Sequence, residues 1–143
     1  MNVLAIQSSG DQTSVSVIYL DDVISFSINH KRKDRPDWNN LLSNIGLNAI
    51  FKLTDIDLFS YANSSGSYTA TRSVASFMKG ITTALKKPLI AVKTDEADKI
   101  SADQIAKHAL VEYSESGFDH SRFMPNNANP VYASITQYKK INE

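Results

Sequence analysis

The chain has 143 residues, with 15 Lys and Arg balanced by 15 Asp and Glu, and 42% hydrophobic residues. That length fits one domain or two small lobes sharing a core, and the apolar content excludes a wholly disordered chain. The zero formal charge excludes a global field that would draw in nucleic acid, and the lack of cysteine excludes disulfides and thiolate metal sites.

"NVLAIQ" (2–7) is a short apolar run, as expected for a strand buried on both faces. "TSVSVIYL" (13–20) sets Val15, Val17 and Tyr19 against Ser14, Ser16 and Ile18, which predicts a half-buried strand. Asp21-Asp22 reads as a hairpin turn, and "VISFSINH" (23–30) alternates again with Ile24, Phe26 and Ile28 on one face. Three antiparallel strands therefore open the protein. No basic leader or long apolar run accompanies this start, so a cytoplasmic protein with no membrane association is expected.

Pro36 marks a helix entry. Trp38, Leu41, Leu42, Ile45 and Ala49 then recur at three- and four-residue steps, predicting a helix over about 36–52 with Gly46 as its weak point. Residues 38, 41, 42, 45, 47, 49, 50 and 51 nearly surround that helix with apolar groups, more than its own sheet requires. "DLFSYA" (57–62) is a strand. A second helix is predicted over about 69–87, with Val74, Phe77, Met78, Ile81 and Leu85 on one stripe and Pro88 at its end. Small residues at 70, 73, 76, 80 and 84 would let another helix approach closely. "PLIAVK" (88–93) is a further buried strand. A last helix spans 101–116, capped by Ser101 and ended by Gly117, before a loop-like tail with an apolar piece at 131–135. The order βββαβαβ, then a helix and tail, predicts an α/β or α+β mixed sheet with helices.

The sharpest chemical candidate is "ANSSGSYTATR" (62–72). Gly66 permits a tight turn, Ser67 or Thr69 can cap the following helix, and Arg72 can add a fork to a phosphate. Plain helix capping explains the same residues, and the Walker pattern is absent. Neither a Gly-x-Ser-x-Gly elbow nor a metal-spaced histidine pair occurs. His30, His108 and His120 are scattered, and the carboxylate pairs at 34/37 and 95–98 sit on polar segments.

Several strings, taken in order, resemble the TsaB (YeaZ) family, the partner proteins of bacterial threonylcarbamoyladenosine tRNA modification. "LAIQSSGDQTSVSVIYLDD" is similar to the family's opening strand and serine-rich turn. "RPDWNNLL" resembles its Arg-x-His-Ser/Thr helix entry, and residues 62–72 overlie its signature G-x-G-P-G-S-[FY]-T-G-x-R. "ANPVYAS" resembles its closing Pro-x-Tyr-x-Arg. Gln7, Asp37 and Ser134 stand where that family has Asp, His and Arg, and Ala62, Ser64, Ser65 and Ala70 stand where it has Gly, Gly, Pro and Gly.

The resemblance implies an actin-like, Hsp70-like ATPase lobe over 1–93. It further implies a C-terminal helix and tail over 94–143 as the remnant of a largely missing second lobe. It implies a non-catalytic scaffold for a TsaD-like catalytic subunit, with a TsaE-like ATPase joining through the complex and tRNA reached only indirectly. The implied contact, with TsaD or with a second copy, uses Trp38, Leu41, Leu42 and Ile45 with Ser73, Phe77, Gly80, Ile81 and Ala84. A nucleotide-binding rival would use Gly66, Ser67, Thr69 and Arg72 of the degenerate loop. No cofactor is expected, and ATP or ADP would bind only at the interface of a complex. Gln7 supports this, since a neutral amide is a poor ligand for Mg²⁺. The competing expectations are a nucleotide-binding protein or weak ATPase of the actin-like class, and a diverged paralogue with an unrelated binding role.

Overall fold

A computed structural model describes residues 1–9, 11–31, 36–64, 68–94 and 100–128, with backbone alone at 64 and 68. The strands are β1 (Val3–Ser8), β2 (Gln12–Tyr19), β3 (Asp22–Asn29), β4 (Leu58–Ser64) and β5 (Leu89–Thr94). The helices are α1 (Trp38–Ser43), α2 (Tyr68–Leu85) and α3 (Ala102–Glu115). The sheet order is β3-β2-β1-β4-β5. β1–β2 and β2–β3 pair antiparallel, whereas β1–β4 and β4–β5 pair parallel.

Parity along the strands divides two cores. Leu4, Ile6, Val15, Val17, Phe59 and Tyr61 face one way and pack with α1 and the inner stripe of α2, made of Val74, Ala75 and Met78. Val3, Ala5, Ile18, Leu58, Ile90 and Val92 face the other way, under Ile105, Ala106, Ala109 and Tyr113 of α3. The result is an α/β/α sandwich whose central strands are covered on both sides, which is why β1 reads as an unbroken apolar run.

Three expectations are corrected. The first helix ends at Ser43, far short of residue 52. Asp37, not Pro36, starts it: its carboxylate accepts the Asn40 N–H at 3.2 Å from the N-cap position. Beyond Asn44 the chain folds into a compact turn. Gly46 there sits at φ +107°, and its carbonyl accepts N–H bonds from Ala49, Ile50 and Phe51. The apolar excess predicted around one helix therefore belongs to two structures, a short helix and a turn that buries Phe51.

The second correction concerns β2, which is buried on both faces. Ser14 and Ser16 lie beneath α3, whose alanines let the helix approach. Each hydroxyl is satisfied there. Ser14 Oγ donates to Gln7 Oε1 (3.1 Å) and accepts from the Ala102 N–H (3.2 Å), and Ser16 Oγ lies 2.9 Å from Ser25 Oγ. The third concerns the hairpin turn, whose positive-φ central residues are Leu20 and Asp21, while Asp22 pairs with Tyr19 inside the strand.

Of the segment expected over 94–143, the described part packs on the same sheet. α3 is a layer of the same body, and the following chain crosses to the α2 side, where Tyr61 Oη donates to the Ala128 carbonyl at 3.2 Å. Ser101 caps α3 as expected, with Gln104 Oε1 accepting its N–H at 3.1 Å. The apolar piece at 131–135 lies outside the described residues.

Candidate functional site

Two regions carry the residues singled out by sequence. The first is the carboxyl edge of the sheet, where the parallel strands end and α/β folds usually bind ligands. Gly66 and Ser67 lie outside the described residues. Since α2 begins at Tyr68, Thr69 falls within its first turn and cannot be its cap. Thr69 and Arg72 are exposed, while Thr71 and Asn63 are buried beside them. Gln7 faces the opposite side of the sheet, bonded to Ser14 near the start of α3. Among the described residues no three His, Cys, Asp or Glu side chains gather to hold a metal. A shallow cavity of about 150 Å³ between β2, β3 and the start of α3 is lined by Ser14, Ser25, Ser27, Ser101 and Asp103. It is smaller than the roughly 300–1,000 Å³ of small-molecule sites.

The same edge holds a side-chain chain that sequence reasoning missed. His30 Nδ1 lies 2.8 Å from the Lys31 carbonyl, an acceptor, so Nδ1 carries a proton and, in the neutral ring, Nε2 accepts. Thr13 Oγ1, 2.8 Å from Nε2, therefore donates to it and accepts in turn from Ser8 Oγ at 2.9 Å. The relay locks the ends of β1, β2 and β3 together. Its signal was register: the β2–β3 pairing places Thr13 opposite Ile28, which puts His30 diagonal to Thr13 on one face.

The second region is the outer flank of α2. Its buried stripe is Thr71, Val74, Ala75, Met78 and Thr82, rotated from the predicted one so that Phe77, Ile81 and Leu85 are only half-buried. At about 100° per residue, Ser73, Phe77, Gly80, Ile81 and Ala84 form one arc beside that stripe. Trp38 lies against the arc, stacked on Phe77 with centroids 5.2 Å apart and planes at 20°. Ser73, Gly80 and Ala84 are exposed, and a Cβ built on Gly80 meets nothing within 4 Å. The predicted contact set thus divides. Trp38 joins this arc, whereas Leu41, Leu42 and Ile45 are fully buried in the chain's own core and offer no surface to a partner.

No protein-family model and no curated protein sequence matches the chain. Solved structures do. YeaZ from Pseudomonas aeruginosa is 21% identical with a TM-score of 0.60, covering 81% of this chain and 50% of that one. A crystal structure described as an uncharacterized protein with similarity to peptidase YEAZ from Pseudomonas aeruginosa is also 21% identical, with a TM-score of 0.59. It covers 64% of this chain and 43% of that one. Over the matched residues the chain has the α/β fold of YeaZ, and it spans half or less of the length of these structures. Among the described residues, no helix is long and apolar enough to cross a membrane.

Proposed function

We propose that the chain is a TsaB-like scaffold with no catalytic role. In this reading it presents the outer flank of α2, with Trp38, to a TsaD-like catalytic subunit in threonylcarbamoyladenosine tRNA modification. The observation that carries the reading is the arc itself. Exposed Ser73, Gly80 and Ala84 leave room for a partner helix at about 8–10 Å, and the half-buried Phe77, Ile81 and Trp38 supply apolar contact beside them. An exposed glycine inside a helix costs about 0.5–1 kcal/mol against alanine, a cost that close helix packing would offset. The YeaZ-like fold supports the choice of partner. A TsaE-like ATPase would join through the complex, and tRNA would meet the catalytic subunit.

The test is co-purification with a TsaD-like subunit for the native chain, Gly80→Ala and Gly80→Arg, with folding followed by circular dichroism. Native protein is expected to retain the partner, and Gly80→Arg to fold yet lose it. No association with the native chain, or undiminished association with folded Gly80→Arg, overturns the proposal. Loss of the modified nucleoside from tRNA of a deletion strain is the cellular counterpart.

A further inference from the structure

β3 is an edge strand, and its pairing with β2 fixes which backbone groups point outward. A two-residue turn joins Tyr19 and Asp22, so Asp22, Ile24, Phe26 and Ile28 exchange hydrogen bonds with β2. The N–H and C=O groups of Val23, Ser25, Ser27 and Asn29 face away from the sheet. Among the described residues no backbone partner meets them. Soluble proteins usually blunt such an edge with lysine, proline, a bulge or a short strand. The other edge, β5, is shorter, follows Pro88 and carries Lys93. β3 has none of these devices. It runs Asp22–Asn29 in unbroken register, with Asp22 its only charge.

We propose that the outer edge of β3 pairs antiparallel with β3 of a second copy of this chain about a two-fold axis, joining the two sheets. The pattern is self-complementary about Ser25. With Ser25 opposite Ser25 of the second copy, Val23 meets Ser27, and these three facing pairs are all residues whose backbone groups point outward. Ile24 then stands opposite Phe26 at the non-hydrogen-bonded sites, where cross-strand side chains come closest. Both already pack at the margin of the α1/α2 core, so the pairing extends that apolar row across the axis. On the other face serine meets serine, and valine meets serine. No like charges stand opposite each other anywhere along the pair.

Three variants test this with the full chain by sedimentation and by hydrogen exchange of the Val23, Ser25 and Ser27 amides. Ser27→Pro removes an outward donor without touching the β2 ladder, a position where an edge strand tolerates proline. It breaks two symmetry-related bonds, which at roughly 1 kcal/mol each should weaken dimerisation about 30-fold. Ser25→Lys puts two ammonium groups opposite each other on the axis, and Ser25→Asp does the same with carboxylates. Each should weaken the dimer alone, and an equimolar mixture should restore it as the heterodimer. Native protein should show protection of the three amides that rises with concentration. A native chain that stays monomeric, or a dimer that survives all three substitutions, overturns the pairing. Protection that is independent of concentration overturns it too.

Discussion

Two glycines predict opposite outcomes for the same substitution. At Gly46, an alanine Cβ would lie 2.8 Å from Ile50 Cδ1 and 2.9 Å from Ile50 Cβ, on a backbone at φ +107°. Ile50 Cδ1 can swing away, because that side chain is half exposed, but its Cβ is fixed to the turn. Left-handed backbone costs an L-residue about 1–2 kcal/mol, and overpacking adds about 1–3. Gly46→Ala is therefore expected to destabilise by about 2–5 kcal/mol, a large share of a typical 5–15. Gly80→Ala meets nothing within 4 Å in an exposed helix interior, so it should stabilise the isolated chain by about 0.5–1 kcal/mol. Urea unfolding of both variants measures the pair at unchanged m-value. Adding Ile50→Ala to Gly46→Ala should recover little, since alanine keeps the offending Cβ. A Gly46→Ala change within about 0.5 kcal/mol of native, the range of ordinary surface substitutions, refutes the turn geometry. A destabilising Gly80→Ala refutes the open flank of α2.

Thr13→Val keeps the shape of the side chain but strands the Ser8 hydroxyl and His30 Nε2. It should cost about 1–3 kcal/mol in urea unfolding and shift the His30 ring nitrogen resonances; an unmoved spectrum would break the relay. Tyr113 is pushed above the ordinary phenol value of 10.0 by its burial first, then by the charges of Asp119 and Asp57. The folded chain thus holds that proton more tightly than the unfolded one, so its contribution is fully present below pH 10 and is lost as pH rises through the folded value. The stability gap between native protein and Tyr113→Phe should shrink as pH rises above 10. A gap independent of pH contradicts the shift.

The strands themselves could be read because alternation survives wherever both partners of a pair obey it: Ile24, Phe26 and Ile28 are half-buried as their spacing demands. The errors share a cause. An apolar residue declares that it is buried but not by what, so Leu41, Leu42 and Ile45 in the helix and Phe51 in the turn gave one helical pattern. A polar residue is misread in the opposite sense. Ser14 looked solvent-facing, yet its hydroxyl meets the Ala102 N–H from 88 positions away, a partner no local window contains. His30 was passed over for the same reason, since its role exists only once β2 and β3 are in register. The α2 stripe was misplaced by part of a turn because Thr71 and Thr82 occupy it, and Thr82 satisfies its hydroxyl by donating to the Met78 carbonyl at 2.7 Å.

The two proposed contacts are physically independent, and their separation follows from the sheet order. α2 packs on β1, β4 and β5, whereas β3 is separated from β1 by β2. A two-fold axis at β3 closes on itself and uses no residue of either α2 arc, so each arc stays available for one partner. The flank discriminates by shape, since its arc carries no charge, while the edge discriminates by backbone register. Gly80→Arg should therefore leave sedimentation of the isolated chain unchanged, and Ser25→Lys should leave co-purification of the partner unchanged. Cross-sensitivity, with either substitution abolishing both assemblies while the chain stays folded, would show that one surface serves both contacts and would remove the edge pairing from the account.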